Sequence, residues 1–180
     1  MRSVMLSIKP KYCELIAAGK KTIEVRKTKP KIETPFKCYI YCTLPKERFS
    51  IGQGNFACSD NLYLCNNKIK CGDGFEDFDK ETISLNGKVI GEFVCDCIIP
   101  ISITYSDPNN RIAQKEFPYT CLTDKEIMDY LGNGNQGYGW HISKLKIYAE
   151  PKRLREFWHC GVKLGARVSR PPQSWCYVEV

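Results

Sequence analysis

The sequence predicts a single α+β domain, and three observations carry that prediction. Short stretches of alternating apolar and polar residues recur from one end of the chain to the other, only two or three segments show helical spacing, and the two kinds of element do not alternate in the regular way of a doubly wound sheet. A chain of 180 residues with 43% hydrophobic and 26% charged side chains buries a substantial core and favours one domain spanning 1–180.

Val4 to Ile8 reads as a strand with Leu6 and Ile8 on one face and Ser7 and Lys9 on the other. A helix is expected next, with Pro10 at its first position, Tyr12, Leu15 and Ile16 as its apolar stripe, and Gly19 as its stop. Thr22 to Arg26 alternates as a strand, with Ile23 and Val25 expected inward and Thr22, Glu24 and Arg26 opposite. Pro30 and Pro35 bracket a polar turn before a further strand, Phe36 to Thr43.

Residues 44–86 carry weaker signals and read as a decorated insertion. They include an apolar patch at Leu62 to Leu64 and an acidic run, Asp73 to Glu81, that lacks the glycine and terminal glutamate of an EF-hand loop. Asn86-Gly87 predicts a two-residue hairpin turn, followed by one long strand, Lys88 to Ile103, bent near Pro100. Thr123 is placed to cap a second helix, with Glu126 at its third position and Ile127, Tyr130 and Leu131 as its stripe. Tyr138 to Tyr148 alternates as a strand with a slip near Leu145 and Ile147, Pro151 opens a short basic helix or turn, and Trp175 to Val180 is the last strand.

Composition narrows the function classes. The N-terminal residues lack the apolar run of a signal peptide, and no segment is long and apolar enough to span a bilayer, so a soluble, cytoplasmic protein without a membrane partner is expected. Eleven cysteines, an odd count placed largely in apolar segments, read as reduced thiols; Cys13, Cys38, Cys42, Cys95 and Cys97 are expected as small core residues. There is no C-x-x-C pair, so neither metal nor cofactor is expected, with the loose trio Cys58, Cys65 and Cys71 left open. Lys plus Arg against Asp plus Glu runs 12 to 4 in residues 1–50, 7 to 13 in 51–140 and 8 to 3 in 141–180. Two basic ends folded together would give a one-sided positive surface that attracts phosphates.

The stretch from Ser7 to Arg26 concentrates the candidates. Lys9, Lys21, Glu24 and Arg26 fall within one strand-helix-strand unit, where cations can hold phosphate and a carboxylate can accept a base amine. The alternative is a surface Glu24–Arg26 pair with free lysines beside it. Trp140, Tyr138 and Trp175 are aromatics near strand ends, suited to stacking a base, with Trp175 preferred for its neighbours Gln173 and Ser174.

The run Leu6-Ser7-Ile8-Lys9-Pro10 through Gly19-Lys20-Lys21-Thr22-Ile23-Glu24-Val25-Arg26 resembles the N-terminal signature of ASCH domains, a branch of the PUA-like superfamily. Gly87 to Phe93, Tyr138-Gly139-Trp140 and Arg170-Pro171-Pro172-Gln173-Ser174-Trp175 resemble later strands of the family, the last two those of phage and prophage members. The resemblance implies a small mixed β-barrel flanked by two or three helices, with a basic cleft beside the first helix that binds RNA or a nucleotide. Its contacts would be Lys9, Lys21, Glu24, Arg26, Trp140, Gln173, Ser174 and Trp175. Some members instead act on modified nucleosides or RNA, as amidohydrolase or ribonuclease, which would make Lys21 and Glu24 an acid–base pair. The deacetylating members use a lysine, a threonine three residues later and a distant glutamate. Lys21 fits the first, Glu24 replaces the threonine, Thr22 lies about 7 Å away along the strand, and Glu126 is the nearest candidate for the third. Activity and oligomeric state stay open at this point.

Overall fold

The computed structural model describes residues 2–44, 62–65, 68–71, 83–102, 118–132, 136–161 and 165–180. The chain runs β1 (Ser3–Ile8), α1 (Pro10–Ala17), β2 (Ile23–Arg26), β3 (Phe36–Cys42), β4 (Leu62–Cys65), β5 (Lys68–Cys71), β6 (Ile83–Ser84), β7 (Val89–Cys95) and β8 (Ile98–Ser102). It continues through a 3-10 turn (Pro118–Thr120), α2 (Asp124–Leu131), β9 (Gln136–His141), β10 (Ser143–Lys152), a second 3-10 turn (Leu154–Glu156), β11 (Trp158–His159) and β12 (Trp175–Glu179). The expected α+β class is the observed one.

Local chemistry sets the helix ends. Pro10 occupies the first turn of α1, where its missing N–H costs nothing, and Gly19 leaves the helix at φ +69, a conformation other residues resist. Thr123 and Glu126 close a reciprocal capping box on α2, each side chain taking the other's backbone N–H. Ile127 and Leu131 are buried beneath it, whereas Tyr130 of the expected stripe is exposed.

Three sheets form. The largest is ordered β10-β7-β3-β1-β12-β11, with β1 and β3 parallel and every other pair antiparallel; β2-β9-β8 make the second and β5-β4-β6 the third. The expected single strand Lys88 to Ile103 is two strands, broken at Asp96-Cys97 rather than at Pro100, which lies inside β8 opposite Tyr138. Its antiparallel neighbour breaks at the same level, at Ile142, so that β7 and β10 stay in the first sheet while β8 and β9 enter the second. The His141 N–H donates to the Cys97 carbonyl at 3.0 Å, and its Nδ1 lies 2.7 Å from Asp96 Oδ1 across this corner. Asn86-Gly87 is a turn, but it separates β6 in the third sheet from β7 in the first, so it does not make the expected hairpin.

The sheets enclose a first core that includes Val4, Leu6, Ile8, Cys13, Ile40, Phe93 and Trp140; Leu62 and Leu64 join it from β4. A second core covers the far face of the large sheet through Met5, Tyr39, Phe157 and Val178, and a third joins α2 to the second sheet through Ile23, Val25, Ile101 and Ile127. β1 is therefore buried on both faces, where alternation had suggested one polar face. Gly137 lets α2 approach: a Cβ there would stand 2.5 Å from Leu131 and 2.9 Å from the Arg26 carbonyl.

Cys13, Cys38, Cys42 and Cys95 are buried thiols outside any disulfide, but Cys97, expected in the core, is exposed at the corner. Among the described residues no group of three or more His, Cys, Asp or Glu side chains is placed to hold a metal ion. The acidic run and Cys58 lie outside the described residues. Among the described residues no helix is long and apolar enough to cross a membrane. Burial pushes the Cys95 thiol up to about 12 and Cys38 well above its usual range. Alkylation of the native protein by iodoacetamide near pH 8, mapped by mass spectrometry, is therefore expected to modify Cys97 early and to reach Cys38 and Cys95 only after unfolding; early labelling of Cys95 would contradict this packing.

Candidate functional site

At β2 the polar face turns inward. Ile23 and Val25 face α2, while Glu24 and Arg26 point the other way and are also buried, at 7% and 5% exposure. Lys21, just before the strand, is buried at 2%. The alternative of a solvated surface pair is thus overturned: Glu24 receives Lys21 Nζ at 3.3 Å on Oε2 and Arg26 Nη2 at 2.9 Å on Oε1, within the protein. A strand only alternates its faces; burial of the charged face is possible because each charge finds partners there.

The two cations are held by the frame. Lys21 Nζ donates to the carbonyls of Ile23 at 2.9 Å and Thr120 at 2.6 Å, in addition to its ion pair with Glu24. Arg26 Nη1 donates to the Ser174 carbonyl and hydroxyl at 3.2 and 3.3 Å, and Nη2 donates to the Ser7 carbonyl at 2.8 Å. Nε of Arg26 has no acceptor among the described residues. Ser7 Oγ in turn donates to the Pro172 carbonyl at 2.6 Å, which draws the segment before β12 against the end of β1. The two basic ends of the chain meet here.

Above the trio stand aromatic rings. Trp175 is half-buried, 6.0 Å from the Trp140 ring and 5.4 Å from Tyr177, and its Nε1 donates to Thr28 Oγ1 at 3.0 Å. Trp140 lies behind it, fully buried against Phe36, and its Nε1 has no acceptor among the described residues. Its ring presents no surface to solvent, because the corner between β9 and β10 folds it into the first core. Gln173 and Lys9 are exposed, and the Lys9 carbonyl accepts the first helical N–H groups of α1.

Sequence reasoning missed several neighbours. Tyr12 carries Lys11 and Lys21 ammonium groups 4.8 and 5.3 Å from its ring centroid, and Lys29 lies 5.4 Å from that of Tyr138. Their signal was present as lysines spaced along residues 9 to 31, but only the fold sets them over rings. Burial raises the Tyr12 phenol above its usual value, with Lys11 opposing. Glu126, the candidate for a distant glutamate, is used elsewhere: it caps α2 and pairs with Lys11 at 3.6 Å, and the Thr123 backbone N–H is the main cause of its lowered pKa.

Replacing Glu24 by Gln removes the only carboxylate ion-paired to Lys21 or Arg26 among the described residues. Leaving two buried cations without it is expected to destabilise the fold by about 3–5 kcal/mol, read as a lowered urea midpoint; a loss below about 1 kcal/mol would mean that solvent reaches these groups.

Residues 6–41, which hold Ser7, Lys9, Lys21, Glu24 and Arg26, match the family model of the ASCH domain. No curated protein matches the chain. Among solved structures, an ASCH protein of Zymomonas mobilis superposes with a TM-score of 0.58 at 16% identity, over 98% of this chain and 87% of that one. Two point mutants of that protein match at TM-scores of 0.56, again at 16% identity, over 98% of this chain and 90% and 88% of theirs. The chain thus has the mixed α+β, PUA-like fold of an ASCH domain, with the sequence match to that family running from the end of β1 into β3.

Proposed function

We propose that the chain binds RNA or a nucleotide on the surface above the Lys21–Glu24–Arg26 trio. One observation carries this reading: two buried cations share one carboxylate, which leaves net positive charge under Trp175 and Ser174, where water screens it poorly. Apart from the trio, residues 2–44 carry the same sign, with eight Lys and Arg against two Glu. ASCH domains are PUA-like domains generally associated with RNA binding, which agrees with the electrostatics.

The roles divide by exposure. Lys9 and Lys29 meet phosphates from the rim, Gln173 and Ser174 read a base edge, and Trp175 stacks it, with Trp140 as the wall behind. Lys21 and Arg26 act on phosphate chiefly through their field, because their N–H groups are largely engaged by the frame; Glu24 holds both. The same engagement weighs against the catalytic alternative. Lys21 and Glu24 are close enough to exchange a proton, but Lys21 is turned into the frame, with two of its protons given to backbone carbonyls and its charge paired with Glu24.

The test is binding of a fluorescein-labelled single-stranded RNA, and separately of ADP, followed by anisotropy and by tryptophan emission. Affinity for RNA is expected to fall steeply with salt, with a log-log slope reduced by about 0.7 for each of Lys9→Gln and Lys29→Gln. Trp175→Ala is expected to weaken binding by about tenfold or more, the worth of one base stack. Affinity indifferent to salt and to all three substitutions would overturn the proposal, and RNA turnover abolished in a Glu24→Gln protein that is still folded and still binds RNA would favour the enzyme.

A further inference from the structure

The face that carries Trp175 continues along β12. Alternate residues Trp175, Tyr177 and Glu179 share it: Trp175 and Tyr177 are half-buried, with their inner edges against the first core and the Tyr177 hydroxyl accepting from the Lys31 N–H at 2.6 Å, while Cys176 and Val178 pack into the second core on the other side. Trp158 of β11 stands directly opposite Glu179 and so on the same face, diagonal to Tyr177 at about 7–8 Å by antiparallel geometry. β11 is the outermost strand of the sheet, and Trp158 is 37% exposed on it.

Each ring along this line has a cation beside it. The Arg2 guanidinium lies 5.5 Å from the Tyr177 centroid and that of Arg167 lies 4.7 Å from Trp158. Arg26 adjoins Trp175 through Ser174. Arg167 is held in place: its backbone bridges to Trp158, and its Nη1 donates to the Arg155 carbonyl at 2.8 Å. The one acidic side chain among these β12 residues, Glu179, accepts from Cys160 Sγ at 3.3 Å and stands directly opposite Trp158, two residues beyond Tyr177.

We propose that Trp175, Tyr177 and Trp158 form a track for an extended single strand of RNA leaving the site above the trio, with Trp158 stacking a base and Arg2 and Arg167 meeting phosphates. This rests on the RNA reading of the preceding subsection. Rings about one extended nucleotide apart, each with its own cation, match a strand whose bases are splayed out. A duplex buries its base faces and would leave the rings unused. Glu179 opposes the phosphates and tempers affinity at the Trp158 end of the track.

The experiment compares fluorescein-labelled trinucleotide and decanucleotide oligouridines by anisotropy, on the full chain. The decanucleotide is expected to bind the wild type more tightly than the trinucleotide. The paired substitution Trp158→Ala with Arg167→Gln is expected to weaken the decanucleotide by about tenfold while sparing the trinucleotide. Glu179→Gln is expected to strengthen the decanucleotide a fewfold at low salt. Trinucleotide binding with unchanged decanucleotide affinity in the paired variant overturns the track alone, and leaves an acidic protein as the partner of this face. Failure of the wild type to bind either probe overturns the RNA reading and the track with it. Should the paired variant lose both probes, Arg167→Gln alone decides: its site is exposed, and unchanged decanucleotide affinity in it overturns the track.

Discussion

One carboxylate organises this end of the molecule. Glu24 sits between Lys21 and Arg26, and through them four separate pieces of chain are tied together: β2 itself, the turn ending at Thr120, the end of β1 at Ser7, and the approach to β12 at Ser174. No apolar contact would fix these pieces as specifically, because each bond has a direction and a defined acceptor. Burial makes the arrangement demanding, since removal of any member strands the others in a poorly solvating interior. The same burial gives the trio its reach, because an interior charge is felt more strongly at the nearby surface than a solvated one.

The second constraint is the shared corner. Two long antiparallel strands break together, at Asp96-Cys97 and at Ile142, and leave the large sheet for the smaller one. That bend lets a chain of modest length surround its core, and it carries Trp140 into the interior behind Trp175. The floor of the site and the curvature of the sheets are therefore products of one event.

What could be read from the sequence was whatever local chemistry decides. Pro10, Gly19 and the Thr123–Glu126 box mark helix ends through interactions within a few residues, and β12 announced itself by composition and the prolines before it. What escaped depends on distant partners. The alternation in β2 was visible, but the burial of its polar face as well was decided by Ser7, Thr120 and Ser174, far away in sequence. The turn at Asn86-Gly87 was visible, yet β6 pairs with β4, earlier in the chain, and not with β7 across the turn. Lys21, Glu24 and Arg26 were legible as close neighbours; the lysines on Tyr12 and Tyr138 and the depth of Trp140 were not.

Arg26 grips the approach to β12 partly through the main-chain oxygen of Ser174, and Ser7 reaches the main-chain oxygen of Pro172. A grip on peptide oxygens is indifferent to the side chains those residues bear. The scaffold thereby separates what holds the strand from what faces outward, so an exposed residue such as Gln173 is free to be exchanged while the frame beneath it keeps its shape.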